Sequence, residues 1–213
     1  MFKGVIFDMD GTIIDSEALY YELACQILKG HGYDLPHDVF VATSGVSREE
    51  GANIYSRNFP GLDGERDVMD VLDAAYAQAL EDHRLQLKPG FLSLMATLKE
   101  KKIPTALASS NIASAVGNSL RAVGLTEAFD HVIHAEHVQR VKPFPDLFLK
   151  AAECMGLKPE ECLVLEDSEP GILAAEAAGM KAVLIPDVYP VSQRMKDLSY
   201  RIMPVLSDVE TLF

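Results

Sequence analysis

The chain has 213 residues, 48% of them hydrophobic. That is enough for one substantial domain, or a core with a small insert, and too apolar for a disordered chain. Lys and Arg number 19 against 32 Asp and Glu, a net charge of −13, which argues against non-specific binding to nucleic acid or an anionic membrane. An anionic substrate therefore needs a local positive site. Cys25, Cys154 and Cys162 are odd in number, far apart and outside any CxxC or zinc spacing, so free packing thiols in a reducing compartment are expected. No run of about 18 apolar residues occurs, and the N-terminus enters a strand at once, which predicts a soluble, cytoplasmic protein.

Val5, Ile6 and Phe7 are consecutive and β-branched or aromatic. They read as a short buried strand that delivers Asp8 and Asp10 at its carboxyl end. Residues two apart can point to one side, so both acids can share a hard cation such as Mg²⁺. Gly11 permits a close turn. Thr12, exposed backbone N–H groups and a helix start near Ser16 suit an anion. The same residues are also ordinary turn and cap residues, so a structural reading stays open here.

A helix is predicted from Ser16, with Leu19, Leu23 and Ile27 on one stripe, ended by Gly30 and Gly32. Tyr33 to Pro36 is a connector. Ser47 and Glu50 have capping-box spacing for a helix to about Asn58, and Pro60, Gly61 and Gly64 break the pattern. Val68, Leu72, Ala75, Tyr76 and Ala79 mark a third helix, and Leu87-Lys88-Pro89-Gly90 resets the chain. From there helices near 91–101, 112–123, 145–155 and 171–178 alternate with strands near 105–108, 131–134, 162–165 and 182–185. Alternation of this length implies parallel βαβ units. The expectation is an α/β fold, a doubly wound parallel-sheet core of residues 1–15 and 88–213, interrupted by an all-helical insert over 16–87. Residues 187–201 are polar and Pro-punctuated, a rim loop or a last edge strand without assigned function.

In such sheets ligands sit outside the carboxyl ends of the strands. Ser109-Ser110-Asn111 follows the second strand and suits a phosphate oxygen, or is a plain helix cap. Val141-Lys142-Pro143-Phe144-Pro145-Asp146 reads as an extended, rigid segment fixing Lys142, against the commoner solvated loop lysine. Glu166-Asp167-Ser168 puts two acids directly after a buried run, costly to desolvate without a cation, with a solvated cap as the alternative. The six histidines show no pairing that suggests a soft-metal site.

In this order, Asp8-Met9-Asp10-Gly11-Thr12, Ser109, Lys142 and Glu166-Asp167 resemble the four motifs of the haloacid dehalogenase superfamily. The stretches around Asp15-Ser16-Glu17 and Glu166-Asp167-Ser168-Glu169-Pro170-Gly171 are similar to the phosphatase branch that includes β-phosphoglucomutase and carries a helical cap. The resemblance implies a Mg²⁺-dependent phosphatase. Asp8 would be the nucleophile that becomes an aspartyl phosphate, and Asp10 the acid and base, its presence favouring phosphate transfer over dehalogenation. Lys142 and Ser109 would hold the phosphoryl group, with Thr12, Ser110 and Asn111 beside it. The metal would sit on Asp8, Asp10, Glu166 and Asp167.

Gly45-Val46-Ser47-Arg48-Glu49-Glu50 resembles a cap segment of β-phosphoglucomutase, which implies a substrate contact for Arg48; a first-turn helix residue is the other reading. Tyr20 in place of a hinge histidine, and no lysine around Tyr76-Ala77-Gln78-Ala79, depart from that enzyme. A phosphatase acting on a small phosphorylated metabolite such as a sugar phosphate is expected, with a sugar phosphomutase as alternative and a phospho-accepting signalling domain as third reading. The expected partner is that metabolite, with no nucleic acid or membrane, and the chain a monomer or weak dimer.

Overall fold

The computed structural model describes residues 2–43, 48–60, 62 and 68–213. The chain divides into two compact units, Met1–Asp15 with Gln86–Phe213, and Ser16–Leu85. The second junction falls two residues before the expected 87/88. The reason is local pairing: Asp15 N donates to Gln86 O at 2.9 Å, Lys88 N to Ile13 O at 2.9 Å, and Ile14 bridges Leu87 antiparallel. Gln86 and Leu87 are thus tied to the segment that follows the first strand.

The larger unit is built on a six-stranded parallel sheet in the order β3-β2-β1-β4-β5-β6. Its strands are β1 (Gly4–Phe7), β2 (Thr105–Ala108), β3 (His131–Ile133), β4 (Cys162–Glu166), β5 (Lys181–Leu184) and β6 (Arg201–Ile202). All four residues of β1 and all five of β4 are buried, as apolar runs between turn residues require of central parallel strands. Successive side chains of β1 go to opposite faces. Ile6 joins a core with Leu147, Phe148 and Ala151 of α7 (Asp146–Met155) and Ile172 and Ala175 of α8 (Glu169–Ala177). Phe7 packs edge-on against Phe91 of α5 (Phe91–Glu100) and Phe129. The chain leaves β1 toward β2 and β3 and returns to β4 on the other side, so the topological switch lies where β1 and β4 end side by side.

Some boundaries differ from the sequence reading. Helix α8 starts two residues before Gly171 because Ser168 caps it, its Oγ accepting from Gly171 N at 3.2 Å, with Pro170 in the first turn. The segment around Lys142 is a turn rather than extended: Phe144 N donates to Val141 O at 3.1 Å and Lys142–Pro143 is cis. Residues 187–201 contain a helix, α9 (Gln193–Leu198), capped by Ser192 Oγ on Met195 N at 3.1 Å, before the edge strand β6. Helix α6 (Ala113–Ala122) lies between β2 and β3.

The smaller unit holds α1 (Ser16–Gly30), α2 (His37–Ala42), α3 (Arg48–Asn58) and α4 (Val68–Glu81). Helix α2 was not expected. Tyr20 of α1 stacks on Tyr76 of α4 with ring centroids 4.1 Å apart, and Tyr55, Phe59 and Leu72 are buried. Arg48 pairs with Asp70 and Asp73 of α4. These groups are exposed, so the pairs contribute about 0–1 kcal/mol, whereas each fully buried large apolar side chain contributes about 1.5–3 kcal/mol and decides the packing. Gly45, Val46, Ser47, Gly61 and Gly64 lie outside the described residues. Among the described residues no helix is long and apolar enough to cross a membrane.

Candidate active site

The pairing of β1 with β4 sets Phe7 beside Leu165, and Asp8 N donates to Leu165 O at 2.9 Å. Asp8 and the pair Glu166–Asp167 therefore emerge together at the switch. The third arrival is Lys142, from the turn before α7. Its Nζ bonds Asp8 Oδ1, lies 2.7 Å from Glu166 Oε1 and sits 4.9 Å from the centre of the Phe148 ring. The Lys142 and Glu166 side chains are 5% and 1% exposed, while Asp8 keeps 12%. One ammonium thus serves two buried carboxylates, and the one still reachable is Asp8.

The second oxygen of Glu166 accepts from Ser168 N at 2.7 Å and Ser168 Oγ at 2.9 Å. This folds the carboxylate over the start of α8, where Gly171 makes room: a Cβ there would stand 1.8 Å from Glu166 Oε1. In this arrangement both oxygens of Glu166 already have partners, so it fixes Lys142. Asp167 Oδ1 accepts from Thr12 Oγ1 at 2.8 Å. Thr12 is fully buried with its hydroxyl given to that carboxylate, which corrects the expectation that its hydroxyl faces an anion. Gly11, at φ +76°, lies against Asp167 as well, since a Cβ on it would be 2.3 Å from Asp167 Oδ2.

Ser109 is buried at the end of β2, its Oγ accepting from Asn111 N at 3.1 Å, while Ser110 and Asn111 are exposed. Asn111 Nδ2 donates to Asp10 Oδ2 at 2.8 Å, which orients Asp10. The ends of β1, β2 and β4 and the turn before α7 thus bring together Asp8, Asp10, Thr12, Ser109, Asn111, Lys142, Glu166 and Asp167. Arg48 belongs to the helical unit, held by Asp70 and Asp73.

The charges do not balance locally. Burial, opposed by Lys142 and reinforced by Glu166 and Asp10, pushes the Asp8 carboxyl up to about 7. Burial, with Glu166 and Asp8 nearby, holds Asp167 well above the ordinary carboxylate range. Lys142 resists its own burial because Asp8 and Glu166 keep it charged, and it titrates above its usual range.

Lys88 and Asp187, which sequence reasoning passed over, complete the setting. Their side chains are 13% and 4% exposed and form an ion pair, with Asp15 Oδ1 3.6 Å from Lys88 Nζ. The available signal was position: Asp187 stands three residues beyond the end of β5, at the same edge of the sheet as Asp8 and Asp167.

The sequence pattern of the haloacid dehalogenase-like hydrolases matches residues 5–185. The chain belongs to this family. Among relatives of the haloacid dehalogenase-like chain, a fructose-1-phosphate phosphatase, YqaB, of Escherichia coli (strain K12) is 34% identical over 186 residues, covering 85% of this chain and 95% of that protein. A phosphorylated carbohydrates phosphatase of Thermotoga maritima is 29% identical over 187 residues, covering 85% and 83%. A solved haloacid dehalogenase family hydrolase from Deinococcus radiodurans R1, with bound phosphate and sodium, is 27% identical, covers 98% of this chain and 93% of that one, and superposes with a TM-score of 0.85.

Proposed function

We propose that the chain is a Mg²⁺-dependent phosphatase acting on a small phosphorylated metabolite, a sugar phosphate being the first class to test, through an aspartyl phosphate on Asp8. The observation that carries this reading is the bridge of Lys142 between Asp8 and Glu166, which holds a reachable carboxylate beside a fixed cation at the switch of the sheet. An Asp8 oxygen attacks phosphorus as the bond to the leaving oxygen breaks, and Asp10, oriented by Asn111, gives that oxygen its proton. Asp10 then takes a proton from the water that attacks the phosphorus of the aspartyl phosphate, releasing inorganic phosphate and restoring Asp8. Lys142 offsets the charge that builds on the transferring group.

The donor set suits Mg²⁺. Asp8 and Glu166 share Lys142, Asp187 is paired with Lys88, and Asp10 and Asp167 lie beside them, all offering hard oxygens. Asp8, Asp167 and the main-chain carbonyl of Asp10 would hold it, with Glu166 adjacent. When bound, Mg²⁺ supplies charge neutralisation and alignment of the phosphoryl oxygens.

The names of the carbohydrate phosphatases among the relatives support the substrate class. Arg48, the basis of a mutase reading, is paired with Asp70 and Asp73 within the helical unit, and the mutase remains the second reading. Phosphate release from a panel of sugar and small-acid phosphates, with and without Mg²⁺, tests the proposal. Release that depends on Mg²⁺ and disappears in Asp8→Asn is the expected result; undiminished release by Asp8→Asn sinks it.

A further inference from the structure

Asp187 carries a buried carboxylate oxygen that lies outside its ion pair with Lys88. Its side chain is 4% exposed; Oδ1 is taken by Lys88 Nζ, and Oδ2 has no hydrogen-bond partner among the described residues. An unsatisfied buried acceptor costs about 1–3 kcal/mol, and more when charged, so native structures fill such places with water or an ion. The place is defined by Gly11. A side chain there would meet Asp167 Oδ2 at 2.3 Å and Asp187 Oδ2 at 2.9 Å, so the two carboxylates converge on one glycine. Among the described residues the groups facing Asp187 are Lys88, Asp15, Asp167 and the backbone N–H of Val188, and the cation among them, Lys88, is already on the opposite oxygen.

We infer that Asp187 is a positioning residue for the cation of this site, its Oδ2 accepting a hydrogen bond from water that the cation brings to Asp167. This rests on the reading of the site as binding Mg²⁺. A hydrated ion gives the oxygen donors that no side chain provides, and Lys88 anchors the far oxygen so that the carboxylate cannot turn away. Asp187 lies just beyond β5, the strand paired with β4, after whose end Asp167 follows.

Asp187→Asn keeps the size and the Lys88 contact but removes the charge. Titration of the purified protein with MgCl₂ alone, followed by calorimetry, should show affinity lowered about tenfold to a hundredfold, the usual cost of losing an outer-shell partner. In EDTA the variant should melt at most modestly lower than wild type, because Lys88 loses one charged partner but keeps Asp15. An affinity within about twofold of wild type overturns the inference. So does a lowered melting temperature in EDTA with unchanged affinity, which is what a purely structural role produces. Asp187→Ser, read in the same way, serves if the asparagine variant does not fold. Wild type that takes up no Mg²⁺ overturns the metal reading itself, and this inference with it.

Discussion

Lys142 has to neutralise Asp8 and Glu166 with a single ammonium, and both pairs are buried. Removing one partner of a buried pair leaves an uncompensated charge and costs about 3–5 kcal/mol. Lys142→Gln should therefore lose stability in urea titrations, push the Asp8 carboxyl further above about 7, and slow phosphate release by about a hundredfold or more. A rate within a few-fold of wild type would show that Lys142 only holds the fold. Gly171 separates two effects of opposite sign. Glycine inside a helix costs up to about 1 kcal/mol relative to alanine, so propensity alone makes Gly171→Ala stabilising. A Cβ 1.8 Å from Glu166 Oε1 cannot be accommodated without moving that carboxylate and the Lys142 it fixes. The steric effect wins: Gly171→Ala should melt lower than wild type and lose activity, and a higher melting temperature with full activity would refute the close packing.

Strand β1 joins both layers of the core to the site, since Ile6 packs toward α7 and α8, Phe7 toward α5, and Asp8 follows directly. Truncating a fully buried Ile costs about 2–5 kcal/mol. Ile6→Ala should lower the urea midpoint accordingly while leaving the Lys142 contact of Asp8 in place, so that activity per folded molecule falls far less than in Lys142→Gln. The strands were legible because each is an apolar run closed by turn residues, and the acids at their ends mark the ligand edge. The short elements were not. Helix α2 buries only Phe40 and α9 only Met195, so neither has a stripe long enough to show periodicity. In the site, Asp8, Lys142 and Glu166 could be named from their places in the chain, but the partners of Thr12, Glu166 and Asp187 depend on side-chain approach between strands that sequence spacing does not encode. Gly171 is the clearest case, a glycine required by a carboxylate five residues earlier folding back over it.

At the scale of the whole molecule, the net charge of −13 by itself sets no pH dependence of stability, which comes only from groups whose proton affinity changes on folding. Asp8 is different, because its carboxyl rises from 3.8 unfolded to about 7 folded. In that window the folded state binds the proton that the unfolded chain releases, so this group's contribution is fully present below the unfolded value and is lost as pH rises through the folded one. In EDTA, stability should therefore fall from pH about 5 to about 7.5 by on the order of a few kcal/mol, at about 1.4 kcal/mol for each unit of displacement. Asp167, raised in the same direction, adds to the slope. A cation bound by the folded chain offsets much of it, contributing about 2.7 kcal/mol when present at a hundred times its dissociation constant. Urea midpoints measured across this range should slope downward in EDTA, flatten in Mg²⁺, and lose most of the EDTA slope in Asp8→Asn. A wild-type slope that survives unchanged in Asp8→Asn would assign the effect to other acids and remove Asp8 from the centre of the charge imbalance.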